Sequence, residues 1–440
     1  LKNKGNNSFT LSDPSPYLSA KAITRRTRYA VQLDSTDLPV SPTYLAAVRA
    51  IPGVTVLNVS KWLNAISIQT TSSAALASIQ ALPYVQQVAG LAARPSPLQP
   101  VRPDKFSNQL VVSPITSTPS SEKITGDFYN YGTNAGLEMK LHRAEFLHNI
   151  GLRGSGMQVA VLDGGFFNYN TLPAFDSVNR KGQILSTWDF LTGNATVSDD
   201  HPHGMQCLST IAANIPGQFV GKAPQAFFHL FRTEDVNSEY PIEEFNWVCG
   251  AERADSEGAD LISSSLGYYD FDNPVFNYTY AQMDGKTTLA VKGADLATKK
   301  GLLVFNSAGN EGASSWRYII TPADGDSVVA VGAVNAAGAV AGFSSYGPSS
   351  DGRVKPELAS VGWQAVVQST AGTIGVANGT SFSCPNLAGL TTCLWQGFPE
   401  FNNIKIVDAL KRSANRYTNP NDRIGYGIPD MKNAFAYLLA

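Results

Sequence analysis

The hydrophobic and polar positions of the first hundred residues follow the short periods of a small α+β unit. Helical spacing and alternating β-branched runs both occur there, and serine precedes each helical stretch as a candidate N-cap. The helices are predicted at 41–51 and 72–82, and the strands at 54–60, 65–70 and 84–90. The order α-β-β-α-β lacks one leading strand of a split βαββαβ unit. We therefore predict a ferredoxin-like α+β domain over 1–92 whose first strand was removed at or just before Leu1.

The pattern changes from about residue 135, where continuous apolar runs alternate with helical stretches. The apolar runs are 157–163, 227–233, 259–266, 302–309 and 327–334. The helical stretches are 204–214, 241–257, 287–300, 380–397 and 403–413. Apolar strands that alternate with helices are typical of a parallel sheet covered on both faces. We predict a three-layer α/β domain over 126–440 with a mostly parallel sheet, whose active site lies at the carboxyl ends of the strands.

A proline-rich segment separates the two patterns. The sequence "ARPSPLQPVRPDKF" has no hydrophobic period, which predicts an exposed linker at its position, 93–106. We extend this linker over 93–125, up to the start of the α/β domain.

The composition is that of a large, well-cored globular protein. Of the 440 residues, 43% are hydrophobic and 15% are charged. The net charge of −2 and the absence of long basic runs argue against nucleic acid or an anionic membrane as a partner. No apolar run reaches about 18 residues, so no membrane span is expected. The chain does not begin with Met, and we expect a secreted or cell-surface protein whose signal peptide was removed.

Four polar residues stand at or just after the ends of predicted elements, where chemistry is expected. Asp163 ends "VAVLDGG", His203 precedes a glycine and a helix in "HPHGMQCLSTIA", and Asn310 follows the strand of "VFNSAGNEG". Ser381 opens a helix in "NGTSFSCP", near unpaired N–H groups and the positive end of the helix dipole. Each residue has an ordinary alternative, such as a turn aspartate or an N-cap serine. Their combination in the order Asp, His, Asn, Ser is highly specific.

A metal site is the alternative interpretation of the region around His203. Asp199, Asp200 and His201 lie close to it in sequence. Pro202 fixes the backbone between the two histidines, which gives poor chelate spacing, and no distant third ligand is evident. We therefore interpret His201 as a loop residue.

These blocks resemble the subtilisin-like serine peptidases, and the resemblance covers about residues 130–440. The blocks that match the family are "DGG" at 163–165, "HG" at 203–204, "AGN" at 308–310 and "GTSFSCP" at 379–385. The chain looks closest to members from Bacteroidetes-like bacteria. It departs from the usual family pattern at Gly164, Met205 and Phe382, and none of these departures removes a catalytic group. Cys207, one helical turn after His203, is interpreted as a small buried hydrophobic residue.

The resemblance implies a serine endopeptidase with Ser381 as nucleophile, His203 as general base, Asp163 as the acid that orients it and Asn310 as an oxyanion donor. It also implies two substrate-binding segments, Ser265, Leu266, Gly267 and Ser307, Ala308, Gly309. Neither segment carries a charge, so a neutral or apolar residue is expected before the scissile bond. No cofactor is required. Family members often bind structural calcium, and the sequence has no contiguous acidic loop that would locate such a site.

The resemblance gives the N-terminal domain a role as well. Subtilisin-like enzymes are made with a βαββαβ prodomain that assists folding and lays its C-terminal tail in the active cleft. Residues 1–92 are expected to be this inhibitory prodomain, and 93–125 to contain the maturation cleavage. Protein or peptide substrates are the expected external partners.

Other classes of function remain open or fail on specific residues. A catalytically silent relative that acts as a binding or scaffold protein has little support, because all four chemical groups are present. An α/β-hydrolase esterase requires Gly-x-Ser-x-Gly and the order Ser, Asp, His, and Ser381 meets neither condition. A phosphate-binding loop at "DGKTT", 284–288, lacks its upstream glycine because Tyr280 occupies that place.

Overall fold

The computed structural model describes residues 1–92, 104–110, 112–115 and 126–440 of the chain. The first of these ranges holds three helices, α1 (Ala20–Arg28), α2 (Pro42–Arg49) and α3 (Ser73–Gln80), and two strands, β1 (Thr55–Ser60) and β2 (Ala65–Gln69). The two strands pair antiparallel. The α+β character of the N-terminal domain and four of its five predicted elements are thus confirmed.

The N-terminal domain differs from the prediction at two places. The strand predicted at 84–90 is wrong, because these residues have no ladder partner and Tyr84 accepts a single backbone bond from Lys2 N–H. The described part of this domain therefore has a two-stranded sheet rather than the full sheet of a ferredoxin-like unit. Helix α1 was not predicted, because it buries Arg25 and Arg26 instead of an apolar stripe.

The second domain contains the elements that alternate along the chain. Its helices are α4 (Thr133–Leu141), α5 (Glu145–Asn149), α6 (Asp176–Arg180), α7 (His203–Ala212), α8 (Pro241–Glu257), α9 (Leu289–Lys299), α10 (Thr380–Gln396), α11 (Asn403–Ser413) and α12 (Met431–Leu439). Its strands, together with one from the linker, are β3 (Ser113–Pro114), β4 (Gln158–Asp163), β5 (Ile184–Asp189), β6 (Asn214–Ile215), β7 (Phe219–Val220), β8 (Phe227–Arg232), β9 (Leu261–Ser264), β10 (Leu303–Ser307), β11 (Val328–Val334), β12 (Leu358–Val361), β13 (Ala365–Gln368) and β14 (Ile374–Ala377). All ten predicted strands and helices of this domain are present.

A seven-stranded sheet forms the middle layer of this domain, in the order β12-β11-β10-β9-β4-β8-β5. Every pairing within it is parallel. Successive residues of β4 enter opposite cores: Val159 and Val161 pack with α7 and α10, whereas Ala160 and Leu162 pack with α8 and α9. Both faces are buried, which explains why the strands read as continuous apolar runs. No described helix is long and apolar enough to cross a membrane.

Helix α8 anchors the N-terminal domain to the second domain. The buried Asp255 binds two guanidinium groups of α1, with Arg26 Nη2 2.7 Å from its Oδ2 and Arg25 on its Oδ1. One turn earlier, the Glu252 carboxylate accepts bonds from Lys61 N–H at 2.8 Å and Trp62 N–H at 3.1 Å. Burial raises the pKa of Glu252 to about 7. Buried charges joined in this way are costly to separate from their partners.

Replacing Glu252 should loosen the N-terminal domain selectively. Glu252→Ala leaves the Lys61 and Trp62 N–H groups without their acceptor, which we expect to cost about 2–4 kcal/mol of local stability. Hydrogen exchange measured by mass spectrometry on the full-length chain should then accelerate over 55–69, by about 10- to 1,000-fold. Glu400→Ala, at an exposed position, is the control. Unchanged protection in Glu252→Ala would show that this contact does not hold the domain.

Candidate active site

The parallel sheet brings the candidate residues together at its carboxyl edge. Asp163 is the last residue of β4, and Ser265 and Asn310 follow β9 and β10. These three strands are neighbours in the sheet. His203 is the first residue of α7 and Ser381 the second residue of α10, and these two helices pack on one another against the same face. The four residues come from distant parts of the sequence and meet because their strands and helices end at one edge.

A buried hydrogen bond joins Asp163 and His203. The Nδ1 atom of His203 lies 2.7 Å from Asp163 Oδ1, which also accepts the Gly164 N–H at 2.7 Å. Both side chains are fully excluded from solvent. The helix can approach the strand this closely because Gly204 has no side chain: a Cβ there would lie 2.7 Å from Asp163 Cβ. A carboxylate on Nδ1 fixes the ring orientation and leaves Nε2 as the reactive nitrogen.

Ser381 has an unusual backbone environment at the start of α10. Pro385 stands four residues later and cannot donate the helical bond to the Ser381 carbonyl. That carbonyl instead accepts from Ser265 Oγ at 2.7 Å and from the Cys207 thiol at 3.3 Å. The Ser381 hydroxyl donates to the Ser265 carbonyl at 3.4 Å. The proline therefore frees a carbonyl that ties the helix start to the end of β9.

Asn310 is clamped to the same helix start. Its Oδ1 accepts from Thr380 N–H at 2.8 Å and from Thr380 Oγ1 at 3.0 Å. Because both bonds use the carbonyl oxygen, the amide nitrogen is the end of the side chain that remains for donation. The residue next to Ser381 thus sets the orientation of the Asn310 amide.

The two candidate substrate-binding segments lie side by side at this edge. Ser265, Leu266 and Gly267 continue from β9, and Ser307, Ala308 and Gly309 from the end of β10. A Cβ on Gly267 would meet Ile320 Cδ1 at 2.4 Å, and one on Gly309 would meet Ile320 Cγ1 at 3.0 Å. Gly309 also has φ +107°, a conformation that favours glycine. Both glycines therefore allow the Ile320 side chain to pack closely against the backbone of the two segments.

The described part of the linker lies across the site, and the sequence had not singled out the linker residues that contact it. The Phe106 ring stacks on His203 with centroids 3.9 Å apart, and the side-chain amide of Gln109 faces His203 Nε2, with Oε1 3.2 Å away. Phe106 is only 5% exposed, so the prediction of an exposed linker is wrong at this residue. Stacking on the imidazole removes much of the apolar surface of the Phe106 ring from water. Most of the predicted cleavage region, 93–103, 111 and 116–125, lies outside the described residues.

The residues of the metal alternative do not converge on one point. Asp200 pairs with Arg232 at 2.7 Å, and His201 with Asp104 of the linker at 2.8 Å. His201 is thus a loop residue that contacts the linker, and burial lowers its pKa. Two groups of described residues do bring ligand atoms together: Asp163, His203 and Cys207 form one, and Glu234, Glu239 and Glu243 form the other. In the first group the thiol stays protonated, because burial raises the pKa of Cys207 well above its usual value.

The four cysteines should be inert to thiol reagents in the folded chain. All are buried free thiols, and burial raises the pKa of each one, of Cys384 to about 12. Because the thiolate is the reactive form, a chromogenic disulfide should titrate none of them at mildly alkaline pH and all of them in concentrated guanidinium. Fast reaction of Cys207 in the native protein would contradict its buried position behind Ser381.

Comparison with known proteins identifies the family of this chain. The profile of the subtilase family matches residues 154–427, and that of the peptidase S8 propeptide domain of Bacteroidota matches residues 1–105. Subtilisin from Bacillus pumilus is 30% identical over 298 residues, which cover 66% of this chain and 95% of that protein. Subtilisin NAT from Bacillus subtilis subsp. natto is 29% identical over 335 residues, 74% and 78% of the two chains.

A solved structure shares the fold at lower identity. The crystal structure of MycP1 from Mycobacterium smegmatis superposes with a TM-score of 0.55 at 19% identity, over 76% of this chain and 92% of that one. The range matched by the family profile, 154–427, spans the positions of Asp163, His203, Asn310 and Ser381. The chain therefore belongs to the subtilase family and carries the propeptide domain of that family on its N-terminal side.

Proposed function

We propose that this chain is a serine endopeptidase that cleaves peptide bonds through an acyl-enzyme, with Asp163, His203 and Ser381 as its triad. The observation that carries the proposal is the fully buried 2.7 Å bond between Asp163 and His203 beside the start of α10. A carboxylate on Nδ1 of a histidine near a helix N-terminal serine is the arrangement that nucleophilic acyl transfer requires.

The first half of the reaction forms the acyl-enzyme. His203 Nε2 takes the proton of the Ser381 hydroxyl as Oγ attacks the peptide carbonyl carbon. Asp163 holds the imidazole tautomer and stabilises the imidazolium that forms. The negative oxygen accepts bonds from the Asn310 amide nitrogen and the Ser381 N–H. When the C–N bond breaks, His203 gives its proton to the leaving amine.

The second half releases the acyl group. A water molecule gives a proton to His203 Nε2 and attacks the ester carbonyl, and the same two donors hold the oxyanion. The Ser381 Oγ then leaves and recovers the proton from His203. Throughout, the clamp of Asn310 Oδ1 on Thr380 keeps the amide nitrogen directed to the developing charge.

Substrate binding is proposed for the two segments that flank Ser381. Ser265, Leu266 and Gly267 pair with an extended substrate as an added strand. Ser307, Ala308 and Gly309 line the pocket for the residue before the scissile bond, and their lack of charge suits a neutral or apolar side chain.

Residues 1–92 are proposed as an intramolecular inhibitor, 93–125 as the linker that is cut on maturation, and 126–440 as the catalytic domain. Two contacts support inhibition: Phe106 covers the His203 ring, and Gln109 faces the nitrogen that must accept the serine proton. We also propose that the enzyme acts outside the cell or at its surface. It needs no cofactor for the chemistry, and any bound calcium would be structural.

Removing the oxyanion donor provides the test. Asn310→Ala in the processed enzyme should lower kcat for a fluorogenic peptide by about 10²–10³ with little change in KM, a magnitude known from a subtilisin itself. Asn433→Ala, at an exposed position of α12, is the matched control and should keep full activity. Unchanged turnover in Asn310→Ala would remove Asn310 from the mechanism. A processed wild-type chain that hydrolyses no peptide or protein would overturn the proposed function.

A further inference from the structure

Three glutamates form a buried acidic pocket beside the active cleft. Glu234, Glu239 and Glu243 are each at most 5% exposed, and one oxygen of each lies within 4.8 Å of the others. Glu234 follows β8, and Glu243 lies in the first turn of α8. Tyr268 donates to Glu234, and the backbone N–H groups of Asp235 and Tyr240 donate to Glu243. The fold thus holds the carboxylates of Glu234 and Glu243 in place by bonds that do not depend on the linker.

A lysine of the linker occupies this pocket. The Lys105 ammonium lies 2.8 Å from Glu234, 3.0 Å from Glu239 and 3.2 Å from Glu243. The three carboxylates raise the pKa of Lys105 well above its usual value, so it is charged there. The ammonium donates hydrogen bonds to Glu234, to Glu243 and to the Ser238 carbonyl at 3.5 Å, and it forms an ion pair with Glu239. The pocket therefore matches the head group of a lysine.

Lys105 belongs to the segment that closes the active site. The next residue, Phe106, stacks on His203, and Gln109 faces His203 Nε2. Lys105 also donates its backbone N–H to the Val236 carbonyl at 3.3 Å. For His203 to accept the proton of Ser381, this segment has to move away, and the lysine then leaves the pocket. What enters the opened cleft is substrate.

Once Lys105 has left, the negative charge of the pocket favours the binding of another cation. Three carboxylates held close together and shielded from water repel each other, and a cation placed between them relieves that repulsion. A substrate side chain that carries a positive charge at the end of a flexible apolar stem satisfies the pocket as Lys105 does. The neutral preference expected from 307–309 concerns a different pocket, because those residues lie at the end of β10, whereas the glutamates lie between the end of β8 and the first turn of α8.

We propose that Glu234, Glu239 and Glu243 form a substrate subsite that selects a lysine or arginine side chain on the N-terminal side of the scissile bond. This inference rests on the proposed peptidase function. It assigns the enzyme a class of substrates, namely peptides with a basic residue at one fixed distance before the cleaved bond.

Matched peptides test the subsite on the processed enzyme. Fluorogenic peptides that share one cleavage site carry lysine or norleucine, which keeps the stem without the charge, at each position before that site. At one position we expect kcat/KM to be about 10- to 100-fold higher with lysine. In Glu243→Gln and in Glu239→Gln this ratio should fall at least about fivefold. Glu400→Gln, at an exposed site, should keep the wild-type ratio.

The outcomes separate the inference from the function it rests on. Wild-type enzyme that cleaves none of the peptides contradicts the peptidase function itself. Wild-type enzyme that cleaves norleucine and lysine peptides equally at every position overturns the subsite. This outcome is measured on the wild-type enzyme alone, so it does not depend on whether a variant folds. Calcium binding by the processed enzyme that is lost in Glu243→Gln, without any lysine preference, would assign the pocket to a metal ion and would also overturn the proposal.

Discussion

The buried hydrogen bond between Asp163 and His203 is the constraint around which this site is built. It requires an acid at the end of a central strand and a helix that starts against that strand, which only Gly204 permits at this distance. Once the bond is made, His203 Nε2 is the ring nitrogen on the other side, where it faces Gln109 of the linker. Because Pro385 cannot donate to the Ser381 carbonyl, that carbonyl accepts from Ser265 Oγ, which ties Ser381 to the neighbouring strand. The sheet thus supports one specific arrangement of four groups.

Helix α8 connects this arrangement to the N-terminal domain. Its last turns hold that domain through Glu252 and Asp255, and its first turn holds Lys105 through Glu243. One helix therefore bears both the anchor of the propeptide domain and the acidic pocket that holds Lys105. In this account, the groups that hold the linker in the zymogen are the groups that bind substrate once the linker has left.

The sequence predicted what depends on local pattern. Apolar runs located the strands that end at Asp163 and before Asn310, because strands buried on both faces leave a strong hydrophobic signal. The sequence pattern did not reveal α1, because this helix buries arginines that pair with Asp255 and so has no helical period of apolar residues. It missed Phe106 and the acidic pocket because isolated residues in a proline-rich or charged stretch look solvated until the fold supplies their partners. The strand predicted at 84–90 does not form, because residues with high β propensity still need a neighbouring strand to pair with.

The most direct test of the central claim is the intact mass and N-terminal sequence of the purified full-length chain, for wild type and Ser381→Ala in parallel. The account predicts that the wild type separates into two fragments by a cut within 93–125, while Ser381→Ala remains whole. A chain that stays intact in both forms, or one that is cut equally in both, would contradict the assignment of Ser381 as a nucleophile that acts on its own linker.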